Sequence, residues 1–349
     1  MHIETEDLWL DDYGLGKAEA EFQYKEGHLY FTDLKGLFQT SRYTGSVGID
    51  LRQNQIGIVG KVPFVDLADL KQIFSRHYLL PLEVNGTGSA EVSVSGPLVL
   101  NKLNFNLSSS FFRGSIANES FDEIIVNARA KDGNVELGKT YLAKTSSRVT
   151  AKGKLSSSGQ IDLLVDGNNL RLEQSENIEK LNLNISGLLD FTSSLQGDLL
   201  KPKTEMHGRL TQLVVADEIY DDSEFKFKVA AQTIQGGGNL MGDLIRAEFV
   251  FPLVEEAPFR LFIETKNINF TQLFTVFSGY SGKSDFNARL SSSLDLRAPK
   301  GGFFKSSGYA KITDLNLERG TVSMTAPEPI YLRFQQGVVN SDEFSLQGP

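Results

Sequence analysis

The sequence has no cysteine, one tryptophan and only 10 prolines among 349 residues. Without cysteine there is neither a disulfide framework nor a thiolate metal site. Apolar bulk comes instead from strand-favouring side chains, with 24 phenylalanines against four methionines. Together with 32 glycines, this composition predicts many short strands joined by tight turns.

Positive charge is also scarce, since 35 Lys and Arg residues face 44 acidic ones and the net charge is −9. A nucleic-acid partner is therefore not expected, because no basic stripe is available to replace phosphate counterions. No apolar run is long enough to span a bilayer, and the first residues lack a signal pattern. We expect the chain to be a section of a longer protein.

Side chains that could carry chemistry are few and scattered. The four histidines, His2, His28, His77 and His207, share no ligand spacing with one another or with acidic residues. The run 236–238 (GGG) lacks the lysine and helix of a phosphate loop, so it is interpreted as a bulge or loop. The sequence predicts no catalytic residue, no metal site and no cofactor, and the protein is not expected to be an enzyme.

The chain is internally repetitive, with a period of roughly 100 residues. Each unit consists of a strand, a short helical turn and a glycine-led alternating strand. The predicted organisation is one continuous array with approximate units 20–120, 121–220 and 221–330 and a partial unit at 331–349. A repeat of this kind indicates an elongated fold.

Apolar and polar residues alternate in many segments, as in 103–107 (LNFNL), 181–185 (LNLNI) and 225–229 (FKFKV). This period of two predicts strands with one face on apolar material and one in water. Turn sequences at 25–27, 132–133, 157–159 and 166–168 predict hairpins and antiparallel neighbours.

Two segments have apolar residues at helical spacing, residues 66–78 and 269–277. Each is expected to be a short amphipathic helix that covers the sheet or its rim. A membrane-surface role is disfavoured, because neither segment has a basic polar face.

The apolar residues of the strands allow two interpretations. If the sheet closes on itself or on another sheet, they form an ordinary core. If the sheet is open, the same residues line a continuous apolar groove. From the residues alone the core is favoured, because an exposed apolar patch of this size is unusual.

A resemblance favours the groove. Alternating strands that end in glycine or run into a proline turn occur at residues 92–97 (VSVSGP), 194–203 (SLQGDLLKPK) and 294–300 (LDLRAPK). Strands followed by leucine-rich helical turns occur at 65–74 and 268–277. In both features the chain resembles the AsmA-like and TamB-like proteins of Gram-negative envelopes.

The resemblance implies an all-β fold in which an elongated, mostly antiparallel sheet curls into an open groove with one or two short helices. It implies a periplasmic segment, anchored to the inner membrane through a part outside this chain, that shields phospholipid acyl chains during transport between the membranes. The implied partners are phospholipid acyl chains and, through other parts of the protein, an outer-membrane barrel of the Omp85 type. The residues expected to line the groove are Leu103, Phe105, Leu107, Leu181, Leu183, Ile185, Phe225, Phe227, Val229, Leu294, Leu296, Leu315 and Leu317.

Two other functions remain open. An assembly factor for outer-membrane or secreted β-proteins would use a sheet edge or the groove to take up client strands. A structural β-solenoid would have a filled core and no ligand.

Overall fold

The computed structural model describes residues 1–10, 13–74, 83–99, 102–199, 201–254, 258–271, 286–299 and 305–348. Within them, the fold class predicted from the sequence is confirmed: the chain is all-β, and its strands belong to one open antiparallel sheet. No helix among the described residues is long and apolar enough to cross a membrane.

The strands are β1 (His2–Leu10), β2 (Tyr13–Lys25), β3 (His28–Phe38), β4 (Ser41–Asp50), β5 (Gln55–Asp66), β6 (Val84–Pro97), β7 (Asn104–Ile116), β8 (Glu119–Lys131), β9 (Asn134–Lys144), β10 (Ser147–Leu155), β11 (Gln160–Arg171), β12 (Ile185–Asp198), β13 (Lys203–Val215), β14 (Glu218–Tyr220), β15 (Ser223–Ala230), β16 (Thr233–Leu240), β17 (Ile245–Pro252), β18 (Phe259–Asn269), β19 (Phe286–Ala298), β20 (Ser307–Arg319), β21 (Val322–Thr325), β22 (Ile330–Gln335) and β23 (Val338–Ser341). Two short helices, α1 (Leu67–Phe74) and α2 (Glu176–Glu179), follow β5 and β11, and a 3₁₀ turn (Leu172–Gln174) precedes α2.

The chain divides into two compact units. The first unit comprises Met1–Gly167 with Gln196–Lys201, and the second comprises Asn168–Leu195 with Pro202–Pro349. In the first unit β1 to β10 pair antiparallel in chain order. In the second unit β13, β15, β16, β17, β18, β19, β20, β22 and β23 pair in the same way.

Tight turns set these pairings. The turn between β2 and β3 places Glu26 and Gly27 at φ 49° and 84°, and the turn between β8 and β9 places Asp132 and Gly133 at 51° and 75°. Two successive positive φ values match the twist of the flanking strands, which is why such turns join neighbouring antiparallel strands. Both hairpins were predicted from the sequence.

A buried cluster in the first unit lies beneath α1. Val65, Phe111, Phe121 and Ile124 are each at most 9% exposed, and Leu67 and Leu70 of α1 are among the residues that pack against them. The helix begins after Asp66, whose carboxylate accepts a hydrogen bond from Ala68 N at 2.8 Å. This carboxylate caps the first turn of α1.

Asp69 fastens α1 to the turn between β3 and β4. Its Oδ2 accepts hydrogen bonds from the backbone N and side-chain Oγ1 of Thr40, at 3.0 and 2.9 Å, and from N and Oγ of Ser41, at 2.9 and 2.7 Å. Burial would raise the pKa of Asp69, but these hydrogen bonds outweigh it, so that the pKa lies below its usual value. The charged form therefore holds the helix on the sheet.

The structure differs from the sequence prediction at one turn and describes the two predicted helices only in part. Residues 166–168, predicted to be a hairpin turn, lie inside β11, where Asn169 takes a φ of 54° and its N–H donates to Asp190. The strand therefore continues through this region. The helix expected at 66–78 begins one residue later, and residues 75–78 lie outside the described part of the chain. So does most of the second expected helix, of which only Phe270 and Thr271 are described as helical.

The glycine run was also interpreted wrongly. Gly236, Gly237 and Gly238 lie in the middle of β16 and pair with β15 and β17 without any register shift. They are neither a bulge nor a loop. Atoms of the two neighbouring strands fill the space that a side chain would need, since a β-carbon on Gly236 would lie 2.7 Å from the backbone oxygen of Lys226 and 2.9 Å from Cζ of Phe249.

Candidate functional site

One face of the first unit carries a continuous row of residues that are direct partners across neighbouring strands. We call it the first-unit row. It takes one residue from each strand from β2 to β10. Its members are Phe22, Phe31, Val47, Ile58, Val94, Phe105, Ala130, Val135 and Leu155.

The second unit carries a matching row, the second-unit row, across β13, β15 to β20, β22 and β23. Its members are Met206, Phe227, Gly236, Phe249, Leu261, Leu296, Gly308, Phe334 and Val339. Direct partners in an antiparallel pair lie on the same face of the sheet. Each unit therefore presents an apolar strip that runs at right angles to its strands.

The exposure of these strips decides between a filled core and an open face. In the first-unit row only Ala130, 4% exposed, is buried, and the other members are half-buried. In the second-unit row Leu296 is 2% exposed, whereas Val339 is 56% exposed and the rest are half-buried. A covered sheet face would bury these side chains, as α1 buries Phe121 to 2%. The strips are therefore accessible apolar surfaces.

The opposite face is polar and carries cross-strand ion pairs. Lys61 and Glu91 lie 3.2 Å apart, Arg129 and Glu136 lie 3.1 Å apart, and Lys228 pairs with Glu205. These side chains are 44–69% exposed, so each pair adds little stability. They keep this face of the sheet in water.

A shallow cavity of about 620 Å³ lies over β5 to β9. Its side chains come mostly from the polar face and include both ion pairs Lys61–Glu91 and Arg129–Glu136. Because the apolar strip lies on the other face, this cavity is not the candidate site.

Most residues predicted to line a groove share the faces of these rows. Phe105, Phe227 and Leu296 belong to the rows themselves. Phe225 and Leu294 lie on a neighbouring row that joins Gly208, Phe225, Gly238, Ala247, Ile263, Leu294, Ala310, Leu332 and Ser341. The half-buried residues Leu107, Val229, Leu315 and Leu317 lie in β7, β15 and β20. Leu103 immediately precedes β7 and is also half-buried.

The segment 181–185 is different, and its prediction as a strand was wrong. Leu181 is 64% exposed and Leu183 lies before β12, which begins only at Ile185. The turn that ends α2 extends to Asn182, whose φ is 51° and whose N–H donates to Glu179 O at 2.9 Å. Leu183 and Ile185 instead pack against the buried pair Leu213 and Val215. A left-handed residue inside an alternating run breaks the alternation of faces.

Several row members were not predicted, among them Val47, Ile58, Val94, Phe249 and Leu261. The signal that could have identified them is the same alternation of apolar and polar residues, as at 55–59 and 92–95. Alternation shows which residues share a face of one strand. It does not show which residues of two strands are opposite each other, because register depends on turn lengths and bulges.

Two tyrosine hydroxyls with raised pKa values are already hydrogen-bonded. Burial raises the pKa of Tyr43, whose hydroxyl donates to Leu15 O at 3.1 Å. Burial and a 2.9 Å hydrogen bond to Glu218 raise the pKa of Tyr220 to about 12. Both phenols therefore stay protonated at neutral pH and serve as anchors for their rings.

A group of possible metal ligands, which the sequence spacing did not reveal, is formed by His2, Glu4 and Glu19, whose ligand atoms lie within 4.8 Å of one another. All three are on the surface or half-buried, and His2 already bonds Glu4 at 3.0 Å and Glu21 at 3.2 Å. These bonds raise the pKa of His2. Glu19 pairs with Lys35 at 3.2 Å, so hydrogen bonds and ion pairs account for the positions of all three side chains.

Models of known protein families, curated proteins and solved structures give no match to this chain. The resemblance to AsmA-like and TamB-like proteins therefore stays a prediction from the sequence.

Proposed function

We propose that this chain is a segment of a periplasmic lipid-transfer protein and that its two apolar rows shield phospholipid acyl chains between the inner and outer membranes. The observation that carries the proposal is the row itself: nine directly paired positions in each unit, nearly all apolar, of which all but Ala130 and Leu296 stay accessible to solvent. The periplasmic setting comes from the resemblance in the sequence.

The length of the rows suits an acyl chain. Nine strands at a spacing of about 4.8 Å give a strip of about 38 Å. The hydrocarbon core of a bilayer is about 30 Å thick, so the chains of one leaflet reach about 15 Å. Each row is thus longer than a lipid tail, as a surface along which tails move must be.

The chemistry of the rows suits transfer better than storage. Each methylene removed from water contributes about 0.8 kcal/mol, and this gain is spread evenly along a strip of similar side chains. The polar face, with Lys61–Glu91 and Arg129–Glu136, points away from the strip. A tail can therefore shift by one strand without losing a single strong contact, and the head group can remain in water.

The proposal is tested by placing a photoreactive benzophenone side chain at two adjacent positions on opposite faces. Val94 belongs to the first-unit row, and Ser93 lies on the polar face opposite Val59 and Asn106. In cells, the label at Val94 should crosslink to phospholipid and the label at Ser93 should not. Phe249 and Val250 form the same matched pair in the second unit.

Lipid extraction and mass spectrometry of protein purified without detergent provide the second measurement. Phospholipid should co-purify. Equal crosslinking at Val94 and Ser93, or protein free of lipid, would contradict the proposal. Co-purified unfolded β-protein in place of lipid would support the assembly-factor alternative.

A further inference from the structure

An aromatic ring lies flat across a glycine of the neighbouring strand in each unit. In the first unit Tyr43 of β4 is the direct partner of Gly36 of β3. A β-carbon on Gly36 would overlap the Tyr43 ring. The ring reaches past β3, because its hydroxyl bonds Leu15 O of β2 at 3.1 Å. The ring therefore lies along the direction of the apolar strip.

The second unit repeats this arrangement. Phe225 of β15 is the direct partner of Gly208 of β13, and a β-carbon on Gly208 would overlap the Phe225 ring. Gly208 is buried beneath the ring. At both Gly36 and Gly208 the three atoms nearest to such a carbon all belong to the partner's aromatic side chain and not to the backbone.

A weaker example occurs on β2. Gly14 faces its partner Trp9, with 3.3 Å between the β-carbon position and the ring. A glycine inside a strand reduces packing and costs backbone entropy. Glycine recurs opposite aromatic residues in spite of this cost, so the pairs must provide an advantage that offsets it.

We infer that these aromatic–glycine pairs keep the apolar face level, so that it accepts a phospholipid acyl chain lying extended across the strands. This inference rests on the proposed function and deepens it. A ring that stands upright would project from the sheet and interrupt the strip, whereas a ring that lies over glycine extends the strip toward the next strand. Gly36 and Gly208 are positioning residues, which act through Tyr43 and Phe225.

The test compares Gly208→Ala with Gly57→Ala. The first change forces the Phe225 ring away from the sheet, whereas a β-carbon on Gly57 meets nothing within 4 Å. The probe is phosphatidylethanolamine with a photoreactive diazirine on one acyl chain, supplied in vesicles at a subsaturating concentration. Loss of contact with about two methylenes predicts about a tenfold lower labelled fraction for Gly208→Ala. Gly57→Ala should label like the unchanged protein.

A compensating variant separates ring position from general damage. In Gly208→Ala with Phe225→Leu, the added methyl group no longer meets a ring and no ring stands upright, so labelling should recover to severalfold above that of Gly208→Ala alone. Thermal unfolding checks that each variant folds. Gly36→Ala with and without Tyr43→Leu repeats the test in the first unit.

The possible outcomes separate a failure of this inference from a failure of the proposed function. If the unchanged protein takes up no label, the proposed function fails and the inference falls with it. If the unchanged protein is labelled and folded Gly208→Ala is labelled equally, the inference fails while the function stands. The inference would also be overturned if labelling of Gly208→Ala is reduced and the added Phe225→Leu change does not raise it.

Discussion

The two units present apolar strips of the same length built from different side chains. The first-unit row is mainly aliphatic at its centre, with Val47, Ile58 and Val94. The second-unit row places Phe227 and Phe249 on either side of Gly236. β-Branched side chains are stiff and of even height, whereas in the second unit the Phe225 ring lies over Gly208 of the neighbouring strand. The two units thus form an accessible apolar strip from two different sets of side chains.

The units also differ in how they are held together. The first unit has a buried cluster that contains Phe121 and is covered by α1, which Asp69 fastens to the sheet. The buried cluster in the second unit centres on Leu213 and Val215, and α2 is only four residues long. We expect the two units to respond differently to substitution, although each has a row of nine paired positions.

The largest effect is expected in the first cluster. Phe121→Ala removes a ring that is 2% exposed and leaves a cavity, so the free energy of unfolding should fall by about 4 kcal/mol. Phe112→Ala, at a position 47% exposed on the polar face, is the control and should cost less than about 1 kcal/mol. Urea unfolding measures both. Similar costs would mean that the cluster is not a core.

The Asp69 contact should contribute somewhat less. Asp69→Ala leaves Thr40 and Ser41 without their acceptor and should lower the free energy of unfolding by about 3 kcal/mol. Because the folded pKa is lowered, the ionised Asp69 stabilises the protein above its unfolded pKa of about 3.9. This contribution is lost as the pH falls through the lower folded value.

Unfolding of Asp69→Ala and the unchanged protein should therefore differ at pH 7 and converge in acid. In the second unit Glu173 is the comparison, since its Oε2 bonds Gly187 N at 3.2 Å but its side chain is 39% exposed. Glu173→Ala should have a smaller effect at pH 7. A difference between Asp69→Ala and the unchanged protein that is constant with pH would contradict the ionised contact.

Charges on the strips should cost little stability. Phe105→Arg and Phe227→Arg replace half-buried rings, and an arginine there can extend its head group to water. Each should lower the free energy of unfolding by about 1–2 kcal/mol and abolish lipid crosslinking from the neighbouring strand. Asn106→Arg, on the polar face, should leave crosslinking intact. Unfolding of both Phe variants would indicate a filled core.

The smallest effect concerns a single phenol. Gly36→Ala should move Tyr43 away from Leu15 O and toward water, so that the raised pKa of Tyr43 falls toward the ordinary tyrosine value. Carbon-13 NMR of tyrosine Cζ during a pH titration reports this change, and Gly57→Ala is the control. An unchanged pKa would show that the ring stays in place.

The sequence by itself determined the all-β class, the hairpins at Gly27 and Gly133, and the polar and apolar faces of strands such as β7 and β15. These properties depend on neighbours along the chain: period-two alternation and glycine or aspartate at positive φ. The same local rules failed at Leu181, where Asn182 turns the chain, and at Gly236, where atoms of the two neighbouring strands occupy the space that a side chain would need.

Only the tertiary structure decided which apolar residues meet. The partners Val47, Ile58 and Val94 come from three strands, and a shift of one residue in any strand would move its side chain to the polar face. The bulges and turns that fix this register act jointly over many strands. The exposure of the rows could not be predicted from the sequence either, because the alternation of apolar and polar residues is the same whether an apolar face is covered or open.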